Sequence, residues 1–508
     1  MSFVSHKMIK PEIIEDRDYQ RVLSEKALTG NTLVVMPTAL GKTIVAVRVI
    51  ADMLAREKDT KILMVAPTRP LVNQHMKSMR DFLVLDDYEV ATLTGTVSQG
   101  KREGIFADAR VIIATPQTIR NDISKKRLDL SNVSLLVVDE CHRSVSKYSY
   151  VDVSEAYCAQ ARSPLVLGMT ASPSSANVEE ICKNLHIKNI EVRTEKDEDV
   201  AKYIPHKGIE HIYVNLPDEF SETKKMLADY YDSCLQKLLD MGYIRTKNIR
   251  KTDLITLQQF VVRRKNFAAM PYTTSAIKIS HALGLLETQG IFALEKYFEK
   301  LEQETTRSTK MLLRDERIKY ARAETHKLYS EGKDHPKMDK LKLAVAEEFT
   351  ANPKTSVIVF ANYRDSAQRI VDMLNTIPGA KAVRFVGQSS KSKKDLGLKQ
   401  SEQEQILRDF RAGRYNIMCC TSVGEEGLDI PSVDTVIFYE PVPSEIRKIQ
   451  RSGRTGRKRA GKVITLITKN TRDEVYYWMS IRKEKKMHQA LDEIKNRTPE
   501  LQKKISEW

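Results

Sequence analysis

The sequence predicts an α/β protein: two tandem parallel-sheet domains with a helical insertion domain between them. Three observations carry that expectation. Short, nearly continuous apolar runs alternate with helical patterns over about 15–200 and again over about 337–480. Between them, over about 206–335, strand-like runs become scarce and helical stretches dominate. The expected division is 1–205, 206–335, 336–480 and a charged C-terminal tail, 481–508.

In the first segment the predicted strands are NTLVVM (31–36), KILMVA (61–66), RVIIAT (110–115), SLLVVD (134–139) and PLVLGM (164–169). Each is rich in β-branched residues and continuously apolar, as strands covered by helices on both faces are. In the insertion, Met226, Tyr230, Cys234 and Leu238 recur every fourth residue and define one helix face. About 285–330 also reads as helix. The second segment supplies TSVIVF (355–360), KAVRFV (381–386), YNIMCC (415–420), DTVIFY (434–439) and KVITLI (462–467). The tail starts as helix, and its basic run RKEKK (482–486) reads as a solvated face.

Composition narrows the class. Of 508 residues, 41% are hydrophobic and 30% charged, the balance of a globular protein. No apolar run reaches transmembrane length, and the first residues lack the apolar core of a signal peptide. The expected location is therefore cytoplasmic and nucleoid-associated, or nuclear in a eukaryote, without a membrane partner. The six cysteines form no C-x-x-C pair, which argues against a zinc site or a disulfide framework. A formal charge of +16 favours polyanionic partners through counterion release.

The chemistry begins at MPTALGKT, Met36 to Thr43. It ends like the phosphate-binding pattern G-x-x-x-x-G-K-[ST], but Met36 stands where the first glycine is expected. A predicted strand precedes it and a predicted helix follows. That context cradles phosphates with backbone N–H groups and the helix dipole. Pro37, Thr38, Ala39, Leu40, Gly41, Lys42 and Thr43 would line the nucleotide. Lys42 reaches the β- and γ-phosphates, and Thr43 helps hold Mg²⁺. About a hundred residues on, SLLVVDECH puts Asp139 and Glu140 at a strand end. Asp139 suits Mg²⁺ through its waters, and Glu140 suits activation of the attacking water. The second segment supplies QRSGRTGR, Gln450 to Arg457, whose arginines could stabilise charge on a phosphate from an adjoining domain.

Together these motifs resemble those of superfamily 2 helicases, in which two RecA-like domains enclose an ATP cleft. Arg17 and Gln20 in EDRDYQ resemble the upstream adenine-recognising element. MPTALGKT resembles motif I, APTRPLVNQH (66–75) motif Ia, and LTG (93–95) and TPQ (115–117) the further strand-binding elements. DECH (139–142) resembles motif II, TASP (170–173) motif III, VIVFANYRDS (357–366) motif IV, TSVGEEGLDIP (421–431) motif V and QRSGRTGR motif VI. The resemblance implies arginine fingers at Arg454 and Arg457, and Gln450 facing the γ-phosphate or attacking water. It implies Gly427 and Asp429 near the nucleotide, with Thr170 and Ser172 coupling hydrolysis to domain movement. His142 is positioned to relay between the ATP site and its neighbours. It further implies strand contacts from Thr68, Arg69, Thr94, Gly95, Thr115, Gln117 and Thr421.

Within the superfamily the chain is similar to the archaeal Hef and FANCM branch. That branch typically carries P-T-G-L-G-K-T, VVDE-x-HR and GMTASP, against PTALGKT, VVDECHR and GMTASP here. Ala39 is the departure, tolerable unless its position needs positive φ. Hef relatives often continue into a nuclease domain marked E-R-K-x-x-x-D. That signature is missing from this sequence, so the likeness is to the helicase part. The implied activity is ATP- and Mg²⁺-dependent remodelling of stalled forks and Holliday junctions in DNA repair. A sliding clamp or a separate nuclease are partners by resemblance alone. Over 241–266, Arg245, Lys247, Arg250, Lys251, Arg263, Arg264 and Lys265 face one acid, Asp253, a patch suited to a second duplex arm. Similar insertions occur in RIG-I-like sensors and Dicer helicases. A double-stranded-RNA-stimulated ATPase is therefore the alternative, and a clamp with a dead ATP site is the non-enzymatic one.

Overall fold

The computed structural model describes every residue except 1, 38–39, 57–58, 147, 172–176, 204–206, 389–396, 425–429, 457–459 and 507–508. The apolar runs become strands because their side chains are buried on both faces. In the first domain these are β1 (Thr32–Val35), β2 (Lys61–Val65), β3 (Val90–Leu93), β4 (Val111–Ala114), β5 (Val133–Asp139), β6 (Val166–Thr170) and β7 (Asn189–Val192). They form one parallel sheet in the order β3-β4-β2-β5-β6-β1-β7. The carboxyl ends of β1, β5 and β6 lie side by side at its centre. In open parallel sheets this is where ligands bind.

The second sheet is also parallel. Its strands are β8 (Lys207–Val214), β9 (Val357–Phe360), β10 (Ala382–Phe385), β11 (Ile417–Cys420), β12 (Thr435–Phe438) and β13 (Gly461–Thr468). Their order is β10-β11-β9-β12-β13-β8. All ten anticipated strands form, each within two residues of the anticipated ends.

Three strands were not anticipated: β3, β7 and β8. All lie at sheet edges. An edge strand keeps one side in water and so alternates or carries polar residues, as β8 does in KGIEHIYV, with Ile209 and Tyr213 exposed. β8 also corrects the division at 206. The chain adds an edge strand to the second sheet before entering the helical bundle.

The insertion is a bundle of the helices Ser221–Asp240, Lys251–Arg263, Met270–Thr288, Ile291–Glu302, Arg307–Arg314 and Glu316–Ser330. It has its own core, in which Tyr230, Cys234 and Leu238 are buried and Met226 packs alongside. The tail is helical, as anticipated at its start, and it packs on the first domain. One helix runs Arg472–Ser506, and its Leu491 and Ile494 are buried in the core of the first domain. Lys495 pairs with Asp197 at 2.5 Å. Within the basic run, Lys483 donates to the Pro443 carbonyl, and Glu484 pairs with Lys448 at 2.7 Å. All six cysteines are free thiols. No described helix is long and apolar enough to cross a membrane.

Candidate nucleotide and nucleic-acid sites

The phosphate loop follows β1. Met36 is fully buried, and its N–H extends the strand pairing by donating to the Thr170 carbonyl. It is not among the residues with positive φ, so a side chain is tolerated where the motif expects glycine. Gly41, by contrast, has φ +81, and a Cβ there would fall 2.6 Å from Gln20 Nε2. This is the glycine the loop needs. Thr38 and Ala39 lie outside the described residues. Leu40 is buried, and its carbonyl accepts from Tyr19 Oη (2.7 Å) and Gln20 Nε2 (3.0 Å). Gln20 thus braces the loop. Arg17 pairs with Glu15 and lies over the Tyr203 ring at 4.9 Å.

The helix Lys42–Arg56 starts at the two functional residues, and Lys42 Nζ donates back to the Met36 carbonyl at 3.2 Å. Asp139 ends β5, with its carboxylate 2.8 Å from His75 Nε2. Burial pushes the Asp139 carboxyl up, but His75 and the Lys42 ammonium outweigh it and hold the group below the ordinary carboxylate range. The Asp139 carbonyl accepts from Tyr150 Oη at 2.7 Å.

Glu140 takes a left-handed backbone, φ 49 and ψ 45, uncommon for a residue with a side chain. Its carboxylate is 3.2 Å from His142 Nδ1, which is also 3.1 Å from Thr170 Oγ1. His142 therefore bridges the anticipated motif II and motif III residues. Ser172 lies outside the described residues.

The donor set fits a nucleotide and Mg²⁺. A buried, ionised carboxylate at a strand end stands beside an ammonium at a helix start, with Thr43 next to it. Mg²⁺ needs few protein ligands when phosphates and waters supply the rest. No cluster of three His, Cys, Asp or Glu suited to a metal occurs among the described residues.

The second domain carries Gln450 on the helix Glu445–Ser452, with Arg454 buried just beyond it. Arg457, Gly427 and Asp429 lie outside the described residues.

The strand-binding candidates gather on one face. Thr68 stands at the N-cap position of the helix Arg69–Phe82 without a side-chain capping bond, and the Arg69 guanidinium would lie 3.0 Å from a Cβ on Gly95. Thr94 Oγ1 bonds Thr96 Oγ1, and Thr115, before the helix Pro116–Ser124, bonds Thr118. Arg69, Gly95, Thr115 and Gln117 line one cavity of about 410 Å³. A second cavity of about 690 Å³ lies between the domains, with Arg69 and Lys77 on one wall and Arg408, Arg411 and Val423 on the other. Thr421 is two residues from Val423 and buried.

The insertion patch is drawn together by Asn266 Nδ2 donating to Tyr243 Oη at 2.5 Å. Its charges are not equivalent. Lys247 pairs with Asp232 at 2.6 Å, and Arg250 pairs with Asp253 at 2.9 Å. Arg245, Lys251, Arg263, Arg264 and Lys265 are exposed and have no carboxylate partner among the described residues.

Sequence reading missed His75, Tyr150 and Arg451. His75 lies seven residues after Thr68, two turns along the same helix, so its place on the buried face was legible. Its partner was not, because Asp139 is distant in sequence.

Residues 17–181 match the family model described as "DEAD/DEAH box helicase", and 337–459 match "Helicase conserved C-terminal domain". Residues 219–330 match "Putative ATP-dependent RNA helicase, helical bundle". The chain is 39% identical to "Putative ATP-dependent RNA helicase MJ1505" of Methanocaldococcus jannaschii, covering 96% of this chain and 62% of that one. It is 32% identical to "ATP-dependent DNA helicase mph1" of Neurospora crassa, covering 91% and 41%. It thus spans less than two thirds of either relative. The crystal structure of the Pyrococcus furiosus Hef helicase domain superposes with TM-score 0.74 at 42% identity, covering 93% of this chain and all of that one.

Proposed function

Because the chain belongs to the Hef and FANCM branch of the superfamily 2 helicases, we propose that it is an ATP-hydrolysing DNA translocase or helicase acting on forks and four-way junctions. The observation that carries this reading is the contact set on Asp139. A dead site has no reason to retain a buried carboxylate held ionised between His75 and Lys42 beside a strained Glu140.

In this reading the triphosphate lies over the loop from Met36 to Thr43 and draws Lys42 from the Met36 carbonyl onto the β- and γ-phosphates. Asp139 and Thr43 would hold Mg²⁺, which supplies charge neutralisation on the phosphates. Glu140 orients and deprotonates the attacking water, and its backbone conformation aims the carboxylate. Gln450, Arg454 and Arg457 complete the site from the second domain, stabilising charge on the transferred phosphoryl group. Arg17 and Gln20 would serve the base end of the nucleotide, and the resemblance gives Gly427 and Asp429, outside the described residues, a role near it. His142, Thr170 and Ser172 pass the state of Glu140 to the rest of the cleft.

Nucleic acid would run across Thr68, Arg69, Thr94, Gly95, Thr115 and Gln117 and on to Thr421, by sequence-independent backbone contacts. Unpaired charge at Arg245, Lys251, Arg263, Arg264 and Lys265 would hold a second arm, with Lys247 and Arg250 adding to it where their carboxylate pairs open. Two observations keep an RNA reading in play: the name of the Methanocaldococcus relative and the name of the bundle model.

The test is ATP turnover with single-stranded DNA, linear duplex, a fork, a four-way junction and double-stranded RNA. Strong stimulation by forks and junctions supports the proposal. A preference for double-stranded RNA replaces it with the RNA reading, and no turnover with any of them sinks both.

A further inference from the structure

A buried carboxylate joins the helical bundle to the helix that leads to the second-domain arginines. Glu440 stands two residues past β12 and is 3% exposed. Its Oε1 accepts the backbone N–H of Asn362 at 2.5 Å, and its Oε2 accepts from Gln289 Nε2. Gln289 is buried and caps the bundle helix Met270–Thr288. Its Oε1 in turn accepts from Ser366 Oγ at 2.6 Å. On the other side, the Asn362 Oδ1 accepts from Arg451 Nη2 at 3.3 Å. The Arg451 side chain is fully buried, with its guanidinium 4.8 Å from the Phe360 ring centre and 5.9 Å from that of Phe438. Arg451 follows Gln450 on the helix Glu445–Ser452, three residues before Arg454.

The choice of a carboxylate here is costly. The nearby ammonium of Lys337 is paired with Asp473, so among the described residues no cation forms an ion pair with Glu440 itself. Burial pushes its carboxyl up to about 7, against the pull of Lys337, the Asn362 N–H and Arg451. Both oxygens receive donors, and among side chains of this length only a carboxylate accepts at both ends. Glutamine would fill the same space but turn a donor toward Gln289 or Asn362.

We propose that Glu440 is a positioning residue that ties Gln289 of the bundle to Asn362 and Arg451, so that nucleic acid held by the bundle changes the seat of the arginine-bearing helix and with it ATP turnover. This rests on the functional reading above, in which the bundle grips nucleic acid and Arg454 serves the ATP cleft.

The experiment measures kcat and KM for ATP in the full chain, with and without forked DNA, together with the thermal midpoint. The variants are Glu440→Gln, Gln289→Glu, both together, and Asn362→Ala. Gln289→Glu sets two carboxylates against each other, and Glu440→Gln sets two amides together, which pair only if Gln289 turns its oxygen away from Ser366 Oγ. The double change restores a donor facing an acceptor, because the amide introduced at position 440 can donate to the carboxylate introduced at position 289 and still accept from Asn362. Asn362→Ala cuts only the link to Arg451, at an exposed residue.

The expected result is about a tenfold loss of DNA-stimulated kcat in each single variant. Basal turnover and KM stay as in the wild type, and the double variant recovers stimulation. Full stimulation in the single variants overturns the proposal. So does a loss of stimulation that follows the thermal midpoint and is not rescued by the exchange. A wild type that no nucleic acid stimulates overturns the functional reading itself, and this inference with it.

Discussion

The nucleotide edge of the first domain and the outer face of the helical bundle hold their polar residues on opposite terms. At the edge, Asp139, His75 and Tyr150 are buried and joined at 2.7–2.8 Å. The backbone there is constrained as well, left-handed at Glu140 and at Gly41. On the bundle the charges stand in water, some paired and some not. The first arrangement fixes residue types because a buried polar group without its partner is expensive. The second fixes only a sum of charge. Single substitutions should therefore cost orders of magnitude at the edge and fractions of that on the bundle.

The largest effect is expected from Lys42→Ala. It removes the group that the proposal sends to the phosphates and one of the charges that hold the Asp139 carboxyl below its ordinary range. ATP turnover should fall about 10²- to 10³-fold. Turnover within a few-fold of wild type would place the chemistry elsewhere and end the comparison. His75→Ala comes next. It leaves every residue assigned to the nucleotide in place but strips Asp139 of its buried partner, so kcat should fall about 10- to 100-fold, as when a ligand's supporting group is lost. An unchanged kcat would make the His75 contact incidental.

A buried histidine belonging to neither region asks whether burial, rather than motif membership, sets the scale. His335 is 1% exposed, its Nε2–H donates to the Glu287 carbonyl, and its Nδ1 accepts the N–H of Lys337. Burial, with the nearby Lys337 charge, pushes its pKa down from the ordinary 6.5 to about 3. Because the folded value is the lower one, neutral His335 contributes stability that is present above about pH 6.5 and lost as pH falls toward 3. Wild type should therefore lose stability relative to His335→Gln across that window, by up to about 1.4 kcal/mol per pH unit. Parallel curves in chemical denaturation would show that the ring is not held neutral.

On the bundle the readout is salt dependence. Replacing Arg263, Arg264 and Lys265 together with Ala should lower the slope of log affinity for forked DNA against log salt by up to about 2.7, at about 0.9 per lost phosphate contact. An unchanged slope would remove the patch from the binding surface.

The same contrast governs what was legible in the sequence. Nine of the ten strands that were read lie inside the sheets, where burial on both faces favours apolar residues; the tenth, β10, is an edge strand that keeps Ala382, Val383 and Phe385 around Arg384. The edge strands β3, β7 and β8 were missed, because one-sided burial admits Thr92, Glu191 and His211 among the apolar residues. The positive φ at Gly41 and the place of Asp139 at a strand end were legible in the motifs, because a phosphate-loop pattern fixes the backbone it needs. His75 was visible as a residue but not as a partner of Asp139, since a contact across 64 positions leaves no local pattern. Leu491 and Ile494 were lost in a charged tail, because two apolar residues suffice to dock a helix on a neighbouring domain.

The smallest effect separates counted charge from free charge. Lys247 counts as one of the seven cations of the patch, yet its ammonium lies 2.6 Å from the Asp232 carboxylate. A surface pair of this kind adds at most about 1 kcal/mol to stability, but it decides whether the cation is available to a phosphate. If the pair persists on binding, Lys247 displaces no counterion, and Lys247→Ala leaves the salt slope as it is. Asp232→Asn then frees the ammonium and steepens the slope by up to about 0.9. Arg263→Ala, which removes a charge without a carboxylate partner, flattens it by about the same amount. Should Lys247→Ala flatten the slope as much as Arg263→Ala does, the pair opens when DNA arrives. The patch would then act through its total charge, which the sequence alone supplies, and the pairing in the free protein would not matter for binding.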